Sequence, residues 1–441
     1  MFEIHLEWQE APGVRDPLLA KTWARLELRL DGRPMTRYWS DRASSLRDGV
    51  YGSVFPLAEW VANNWWSLLY EGLRHHPSEV SAGAQRPRTA EARQWLRRHN
   101  VFTCREGMAY PDLTIFRRED EAVLCWFSDP VDATTGGRFI DDGMVAVDRV
   151  SIEAALESLV QRVLERAGDA RDESLDALAE LWRAISASRR DDDEAAICQR
   201  LAMLGRDPYA EDSSEELEAM VLDQLPFSSE LVQDLLSASS PEELASDVMS
   251  TELLVSGLPP AGEPHAPRAS AFAPRERGEL LPYRAGYARA SEVRRHLGLS
   301  DEQPLGDLDG AIERLLGEPV QTHELRRGRS GVDAAVQING VVAISAFERQ
   351  LKSDQRFLLA RALHHWLYVA KGVSPQRLLT KGHDWMQASS RAFAAELLAP
   401  ARALSRRMQG KADWDRHGEL ADEFDVSPMV IAHQIANNRL D

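Results

Sequence analysis

Alternation of hydrophobic and polar residues in the first third of the chain predicts β-hairpins. Residues 21–39 alternate around an Asp-Gly pair, which is a favoured hairpin turn. Residues 112–127 repeat this pattern, with charged residues between two β-rich runs. Residues 55–73 instead place apolar residues at helical spacing and are too long for one strand. We therefore expect residues 1–150 to form an α/β domain.

The spacing of hydrophobic residues becomes helical where this first domain ends. The first helical pattern stops at Gly168, a residue type that commonly follows the last turn of a helix. Further helix starts are predicted at Ser213 and Ser240, each followed three residues later by Glu as in a capping box. Residues 151–256 are thus expected to form an all-helical domain.

A stretch rich in Pro, Ala and Gly, residues 257–279, has no hydrophobic period and is interpreted as a linker. Beyond it the pattern predicts helices at about 285–297 and 307–316, then a hairpin around an Asn-Gly pair. Residues 280–441 are therefore expected to form a third domain that mixes helices with a small sheet. The fold class predicted for the whole chain is multidomain α+β.

The net charge of −18 is carried almost entirely by residues 151–276. These acidic residues are expected to be solvated helix faces, with a docking surface for a basic partner as the alternative. Because DNA affinity depends on cation–phosphate contacts, this segment should repel nucleic acid. Nucleic acid is accordingly not an expected partner, although the nearly neutral ends of the chain neither favour nor exclude it.

Several features concern the cellular compartment. No run of about 18 apolar residues occurs, so we expect no membrane span and no membrane partner. The N-terminus lacks the basic and apolar regions of a signal peptide. Cys104, Cys125 and Cys198 are too sparse for a disulfide framework and are expected to be buried small hydrophobes. Together these features predict a cytoplasmic protein.

Tryptophan is concentrated in the first domain, where eight of the twelve residues precede position 127. Such a concentration is compatible with base stacking or ligand binding. No basic residues are interleaved through the Trp-rich segment around Trp65, so core filling is the favoured interpretation. This domain is still expected to bind a ligand or partner, whose class the pattern does not identify.

Three sequence stretches near the C-terminus carry a resemblance to a known family. RFLLARALHHWL begins at residue 356, RAFAAELLAP at residue 391 and LADEFDVSPMVI at residue 420, all after the predicted hairpin. In this order they resemble the ImmA/IrrE family of bacterial metallopeptidase-like proteins over about residues 277–441. The resemblance implies a zincin-like fold and a setting in stress response, mobile-element control or phage defence, where such domains act on helix-turn-helix repressors.

The resemblance also locates the zinc chemistry. A helix of this kind needs His at i and i+4 to bind zinc, and Glu at i+1 as general base. In this chain the first His position is Arg361, the Glu position is Ala362 and the second His position is His365. The family's later acidic ligand falls at Ser389. Since a guanidinium at the ligand position would repel a dication, we expect no catalytic residues here.

His365 is the one metal-ligand position of this motif that is retained. No cofactor is expected, but zinc stays possible through a site rebuilt from distant residues. The metal-capable side chains of this domain are His364, His365, His383, Asp384, Glu396 and His433. The favoured interpretation of His365 is a buried structural histidine. As a further hypothesis, Arg361 takes the place of the metal and pairs with a carboxylate such as Glu396.

The end of the chain resembles a helix-turn-helix. Residues 419–440 predict a helix, a tight turn at Asp425-Val426 and a second helix with Ser427 as its cap. DNA recognition would need basic residues on the second helix, which carries only Arg439. A packing role is therefore favoured over a DNA-binding role.

These observations predict a bacterial cytoplasmic regulatory or defence protein that is not an enzyme. Its C-terminal domain would bind a protein partner, such as a helix-turn-helix repressor or another component of the same system, without cleaving it. Two alternatives stay open. One is an atypical zinc endopeptidase that cleaves a repressor-type protein through a rebuilt metal site. The other is a DNA-binding regulator that acts through the C-terminal helices. The oligomeric state is not predicted.

Overall fold

The computed structural model describes residues 1–11, 13–74, 80–81, 89–129, 136–168, 170–210, 225, 227–260, 262, 272, 281–326, 331–349, 351–368, 375–408 and 414–439. These residues form a mixed α+β fold with several small sheets. The chain divides into two compact units, Met1–Gln224 and Leu225–Asp441. This division differs from the predicted domain boundaries, because helices of the segment 151–256 are shared between the two units.

The N-terminal unit contains three small antiparallel sheets in its described part. Strand β2 pairs with three others, β8 lies in the middle of a second sheet, and β4 lies in the middle of a third. The strands are β1 (Phe2–Trp8), β2 (Trp23–Leu30), β3 (Arg33–Pro34), β4 (Tyr38–Ser40), β5 (Ser45–Arg47), β6 (Val50–Ser53), β7 (Asp112–Arg118), β8 (Glu121–Phe127), β9 (Gly137–Phe139) and β10 (Gly143–Asp148).

Helices of the N-terminal unit pack around these sheets. They are α1 (Pro17–Lys21), α2 (Phe55–Asn63), α3 (Trp65–Tyr70), α4 (Ala90–His99), α5 (Arg149–Ala167), α6 (Glu173–Ser188) and α7 (Asp192–Met203). Their buried apolar residues join those of the sheets in one core. Trp65 of α3 and Trp182 of α6 meet edge to face there, with ring centroids 5.0 Å apart. The first helices of the acidic segment thus belong to the N-terminal core.

Both predicted hairpins of this unit are confirmed. Strands β2 and β3 are joined at Asp31 and Gly32, which both have positive φ as a tight hairpin turn requires. Strands β7 and β8 are joined by Glu119 and Asp120. The helical pattern of residues 55–73 forms two helices rather than one, since the chain breaks at Asn64, whose side chain donates to the Trp60 carbonyl.

The C-terminal unit contains a four-stranded sheet in the order β11-β13-β12-β14. Strand β11 runs parallel to β13, and the other neighbours are antiparallel. The strands are β11 (Gln321–Leu325), β12 (Val332–Gln337), β13 (Ala343–Phe347) and β14 (Gln376–Thr380). The predicted Asn-Gly hairpin is confirmed between β12 and β13, where Gly340 has a φ of 86°.

Helices surround this sheet. They are α8 (Ser229–Ala238), α9 (Leu244–Ser256), α10 (Pro282–His296), α11 (Leu308–Leu316), α12 (Lys352–Tyr368), α13 (Trp385–Leu398), α14 (Ala401–Met408), α15 (Trp414–Phe424) and α16 (Pro428–Asn438). Helix α8 packs on β14, and α9 packs on β12 and β13. This packing places the last helices of the acidic segment in the C-terminal unit.

The two predicted capping boxes have different outcomes. Ser213 lies outside the described residues. The helix predicted to start at Ser240 begins at Leu244 instead, and no side chain caps its first turn. Residues 241–243 form a turn in which the Glu243 amide donates to the Ser240 carbonyl. The observed helix therefore begins three residues later than predicted, since a cap at Ser240 would make Pro241 its first residue.

The helix predicted to stop at Gly168 and the helix predicted at about residues 307–316 are both confirmed. Helix α5 ends at Ala167 with Gly168 as its C-cap. Helix α11 begins after Asp307, whose carboxylate accepts from the Gly310 amide. Its first turn is therefore capped in the manner that Asp favours at this position.

Tryptophan and cysteine residues are mainly core residues in the described part. Trp60, Trp65, Trp66 and Trp95 are buried, which supports the core-filling interpretation. All three cysteines are buried and free. No helix among the described residues is long and apolar enough to cross a membrane.

Candidate functional site

The candidate site is built on helix α12. From Ala360 to Tyr368 every residue of this helix is buried, because α12 packs among α11, α13 and the sheet. Arg361 and His365 are four residues apart, so their side chains leave the same side of the helix. Trp366 also ties the helix to the sheet, since its indole nitrogen donates to the Gln337 carbonyl of β12 at 2.8 Å.

Arg361 is buried, with 4% of its surface exposed, and lies where the resemblance assigns the first zinc ligand. Its Nη2 donates to the Thr380 carbonyl at 2.8 Å and to Gln387 Oε1 at 2.7 Å. Its Nη1 lies 3.4 Å from Asp333 Oδ2, and its Nε lies 3.3 Å from Ser390 Oγ. One guanidinium therefore links helix α12 to β12, β14 and α13.

The charge of this guanidinium is kept at neutral pH. Burial, with the neighbouring charge of Arg391, lowers the pKa of Arg361 to about 10. That value is still three units above neutrality, so the residue stays a cation. Asp333 offsets this charge and also accepts from Arg349 Nη2 at 2.6 Å. Protein atoms thus hold a guanidinium cation at the position that the resemblance assigns to the first zinc ligand.

Glu396, named above as one example of a carboxylate that could pair with Arg361, is not its partner in the structure. Glu396 accepts instead from the Ala401 amide at 3.0 Å and from Gln434 Nε2 at 2.9 Å. Burial raises the pKa of Glu396. The carboxylate that pairs with Arg361 is Asp333, which lies on β12 rather than on α13. The general hypothesis of an ion pair at this position agrees with the observed contacts.

Strand β14 ends the sheet beside Arg361, and its outward backbone groups are capped by side chains. The Leu378 amide donates to Asp234 Oδ2 at 3.0 Å, and the Leu378 carbonyl accepts from Gln387 Nε2 at 2.7 Å. The Thr380 amide donates to Gln387 Oε1 at 3.0 Å, and the Thr380 carbonyl accepts from Arg361. This edge of the sheet therefore has no free group at Leu378 or Thr380 for an incoming strand.

Asp234 of helix α8 makes a second charged contact at this edge. Its two carboxylate oxygens accept from Arg377 Nε and Nη2 of β14, both at 2.7 Å. The carboxylate is buried, and the bidentate geometry is the strong arrangement for such a pair. Asp234 thereby links helix α8 to β14, the strand whose Thr380 carbonyl accepts from Arg361.

His364 is fully buried between helices α10, α12 and α13. Its Nε2 lies 2.8 Å from Arg289 Nη1 and 3.2 Å from Ser389 Oγ. Since arginine can only donate, Nε2 accepts this hydrogen bond and the proton of the neutral ring is on Nδ1. Burial and the charge of Arg289 keep the pKa of His364 well below its usual value.

His365, the retained candidate metal ligand, is fully buried next to His364. Neither of its ring nitrogens has a hydrogen-bond partner among the described residues. Burial, with the nearby charges of Arg377 and Arg361, keeps its pKa well below the usual value. His365 is therefore a neutral imidazole in a cationic neighbourhood. An unpaired buried polar group of this kind usually costs stability.

The other two motif positions carry no zinc chemistry. Ala362 is fully buried and has no side chain that could act as a base. Ser389, at the position of the acidic ligand, is fully buried against His364 rather than against His365. Its neighbour Ser390 is the residue whose hydroxyl oxygen lies 3.3 Å from Arg361 Nε. Arg361 and His365 thus lie on one side of α12. The position of the family's acidic ligand carries the hydroxyl of Ser389 instead of a carboxylate.

The remaining metal-capable residues do not gather around His365. Asp384 caps helix α13 by accepting from the Gln387 amide at 3.0 Å, and burial raises its pKa. His433 is exposed on helix α16. Across the described ranges, no group of three or more His, Cys, Asp or Glu side chains is close enough to hold a metal ion.

The C-terminal helices α15 and α16 pack onto the same unit. Gln434 of α16 donates to Glu396 and to the Ala399 carbonyl, and its Oε1 accepts from Tyr287 Oη at 2.7 Å. Ile431 and Ile435 are buried on the same helix. The predicted turn is present, since Asp425 has a φ of 50°. This docking agrees with the favoured packing role.

The N-terminal unit holds a buried ionic cluster that sequence patterns did not reveal. Glu71 is fully buried after helix α3 and accepts from Arg98 through both carboxylate oxygens, at 2.7 and 2.8 Å. His99 Nε2 lies 3.0 Å from the same carboxylate, while His99 Nδ1 lies 2.7 Å from the Ile115 carbonyl. Trp95 stacks on the His99 ring at 4.2 Å. The cluster joins α3, α4 and β7.

Burial and charge act in opposite directions on Glu71. Burial alone would raise its pKa, but the charge of Arg98 and the hydrogen bond from His99 outweigh this and lower the pKa of Glu71 to about 2. The carboxylate is therefore ionised at neutral pH. No signal in the sequence pointed to this cluster, because Glu71, Arg98 and His99 have no motif spacing.

Comparison with known proteins adds no family to this description. No protein-family model matches the chain, and no curated protein matches it. The relationship to ImmA/IrrE proteins therefore rests on the quoted stretches of sequence, and it stays a prediction.

Proposed function

We propose that the C-terminal unit is a zincin-like, ImmA/IrrE-type domain that has lost its zinc-peptidase residues and acts by binding a protein partner. The protein would be a bacterial regulatory or defence protein, and a helix-turn-helix repressor is the partner class that the family resemblance implies. The N-terminal unit would supply a second binding function, whose ligand is not identified.

The observation that carries this proposal is the environment of Arg361. All three guanidinium nitrogens are within hydrogen-bond distance of protein atoms, so the group is a built part of the fold rather than an exposed substituent. A metal ion at this place would meet a fixed cation, which Coulomb repulsion disfavours. With Ala362 at the position of the base, hydrolysis through a zinc-bound water has no general base here.

The outer backbone groups of Leu378 and Thr380 on β14 are already hydrogen-bonded to side chains, and this supports binding without cleavage. A peptide that pairs with a sheet edge needs free backbone groups on that edge. At β14 those groups are already bonded to Asp234, Gln387 and Arg361. An extended substrate therefore has no free strand edge beside Arg361, and the partner would engage another surface.

The test is capture of partners from the native host by the full-length chain, with and without chelator. We expect at least one partner to be recovered at its full length, in amounts that chelator does not change. The His365→Ala variant should recover the same partner intact. Recovery of cleaved fragments that vanish with chelator and in His365→Ala would contradict the proposal and would favour the atypical zinc endopeptidase.

A further inference from the structure

One corner of the N-terminal unit brings Arg117 and Arg149 together. Arg117 is near the end of β7, where its amide donates at 3.0 Å to the carbonyl of Glu71, the residue after helix α3. Ala122 of β8 lies opposite Arg117 on one side and opposite Val147 of β10 on the other. Helix α5 begins with Arg149, shortly after Val147. The end of α3, the end of β7 and the first turn of α5 therefore meet here.

Arg149 and Tyr70 are in direct contact at this corner. The Arg149 guanidinium carbon lies 4.7 Å from the centre of the Tyr70 ring, as in a cation–π pair. Arg149 Nε is buried and has no hydrogen-bond partner among the described residues. Burial raises the pKa of Tyr70, and the positive charges of Arg149 and Arg117 oppose that rise. Both guanidinium groups therefore act on the same phenol.

The guanidinium of Arg117 has unused donors. Its Nε donates to the Glu119 carbonyl at 2.7 Å, and across the described ranges its Nη1 and Nη2 have no protein partner. Burial and the charge of Arg149 lower the pKa of Arg117 to about 10, so the residue stays a cation at neutral pH. The Arg149 charge is the strongest that acts on Arg117, and the charges of Asp120 and Glu119 act more weakly. Two like charges therefore lie close together here.

Other arginines of this unit are paired differently. Four that are partly buried each have a carboxylate within ion-pair distance: Arg74, Arg98, Arg105 and Arg189. Within the part of the chain that the structure describes, neither Arg117 nor Arg149 forms an ion pair with a carboxylate. Glu153, one turn beyond Arg149 on α5, is paired with Arg189 at 2.8 Å. The two guanidinium groups at this corner therefore lack the anion that such groups usually bind.

We propose that Arg117, Arg149 and Tyr70 form a binding site for a phosphate dianion, either free or as the end group of a small phosphate monoester. A dianion offsets both guanidinium charges, which a single carboxylate would not do. Its oxygens also suit the forked N–H donors of arginine. The side chains of all three residues are only partly buried, so a solute can reach them. Helix α5 adds to this, because the Asp148 side chain does not cap its first turn and helix N-terminal amides favour an anion.

This inference names a ligand class for the second binding function proposed above for the N-terminal unit, and it rests on that part of the proposed function. Its test is a titration with phosphate, which involves neither the C-terminal unit nor a protein partner. Failure to bind phosphate would therefore leave the result of the partner-capture experiment unaffected.

The test is isothermal titration calorimetry of the full-length chain with inorganic phosphate in a chloride buffer. We expect saturable binding with a dissociation constant of about 1 mM or lower. Arg117→Gln and Arg149→Gln should each weaken this binding about tenfold or more, because each removes a charged set of donors. The control Arg183→Gln removes the same charge from an exposed position on α6 and should bind like the wild type.

Phenyl phosphate distinguishes the two sources of the phosphate group. If it binds at least as tightly as inorganic phosphate, the site accepts a monoester. If inorganic phosphate alone binds, the ligand is the free ion. Either result supports the site, whereas the absence of saturable binding of both compounds up to about 10 mM would overturn it. Equal affinities of the wild type and both arginine variants would overturn it too.

Arginine labelling of the unmodified chain gives an independent result, so a variant that misfolds does not leave the proposal untested. Phosphate at about 10 mM should slow the phenylglyoxal modification of Arg117 and Arg149 at least about threefold, as measured by peptide mass spectrometry. The modification rate of Arg183 should stay unchanged. Equal rates at Arg149 with and without phosphate would overturn the proposal.

Discussion

Gln387 Oε1 accepts two hydrogen bonds at once, from Arg361 Nη2 at 2.7 Å and from the Thr380 amide at 3.0 Å. The side-chain amide of Gln387 also donates, through Nε2, to the Leu378 carbonyl at 2.7 Å. Gln387 therefore binds β14 much as a neighbouring strand would, and it holds Arg361 against the sheet. This relationship makes Arg361 a structural cation, and it predicts what substitution at the site will do.

Replacing Arg361 with methionine should destabilise the C-terminal unit by about 3–5 kcal/mol, because it removes one member of a buried charged network. The Thr380 carbonyl would lose the hydrogen bond from Arg361, and Asp333 would lose one of its two ion pairs among the described residues. Urea denaturation of the full-length variant measures this loss.

The matched control is Arg402→Met. The Arg402 side chain is 64% exposed, and its Nη1 forms a surface ion pair with Asp301 Oδ2 at 3.5 Å. Surface pairs of this kind contribute little, so the control should change stability by less than about 0.5 kcal/mol. An Arg361→Met variant as stable as Arg402→Met would show that the guanidinium is not part of the fold.

Replacing His365 with leucine should stabilise the protein by about 1–2 kcal/mol at pH 7.5. The substitution removes two buried ring nitrogens that have no partner among the described residues and keeps a similar volume. His364→Leu is the control, and it should destabilise because His364 is hydrogen-bonded to Arg289. A loss of stability in His365→Leu would mean that the imidazole has a ligand in solution.

Acid should destabilise the wild type through the two buried histidines. Their folded-state pKa values lie below the unfolded value of about 6.5, so the unfolded chain binds protons that the folded chain does not. The stability from these neutral rings is complete above about pH 6.5 and is lost as the pH falls below it. Each histidine contributes a slope of about 1.4 kcal/mol per pH unit. Urea midpoints of His365→Leu at pH 7.5, 6.5 and 5.5 should fall less steeply than those of the wild type.

Glu71→Gln should destabilise the N-terminal unit by about 3–5 kcal/mol, since it removes the fully buried carboxylate that pairs with the partly buried Arg98 and with the buried His99. Glu7→Gln, at a side chain that is 65% exposed, is the control and should be nearly neutral. Circular dichroism during urea unfolding measures both. Equal stabilities of the two variants would contradict the role given to Glu71.

Acid unfolding provides a second measurement on the same carboxylate. The pKa of Glu71 is about 2 in the folded state, below the unfolded value of about 4.3. Its contribution of about 3 kcal/mol is therefore complete above pH 4.3 and is lost as the pH falls towards 2. In Glu71→Gln this part of the pH dependence should be absent.

Gly286 lets helices α10 and α13 approach closely. A Cβ atom at this position would lie 2.5 Å from the Ser389 carbonyl oxygen and 2.7 Å from the Phe393 nitrogen. Gly286→Ala should therefore cost about 1–3 kcal/mol by forcing the helices apart. Gly418→Ala in helix α15 is the control, because no described atom lies within 4 Å of its Cβ, and it should gain about 0.5–1 kcal/mol. Thermal denaturation compares the two.

Local elements of this chain were predictable because their signals are local. The Asp31-Gly32 turn and the Asn-Gly turn at Gly340 need positive φ, and glycine supplies it cheaply. Helix α5 was predictable from its hydrophobic spacing and from Gly168. The helix start near Ser240 was misplaced because capping-box residues also stabilise turns, and here they form one.

Tertiary pairing was not predictable in the same way. The identity of the carboxylate beside Arg361 depends on which strand lies under α12, and Asp333 is 28 residues away in the chain. Gln387 and Asp234 act through backbone groups of β14, so no spacing rule identifies them. A partial signal did exist, since Asp234 is a buried-face residue of an otherwise apolar helix pattern. Charged residues at such positions usually have a buried partner.

The central claim is that Arg361 occupies the ligand position and that the intact chain binds no stoichiometric zinc. The direct measurement is the zinc content, by mass spectrometry, of untagged protein purified without chelator and then dialysed against micromolar zinc. We expect far less than one zinc ion per wild-type chain, and higher zinc retention in Arg361→His, which places a second imidazole four residues from His365. One zinc ion per wild-type chain, lost in His365→Ala, would contradict the claim.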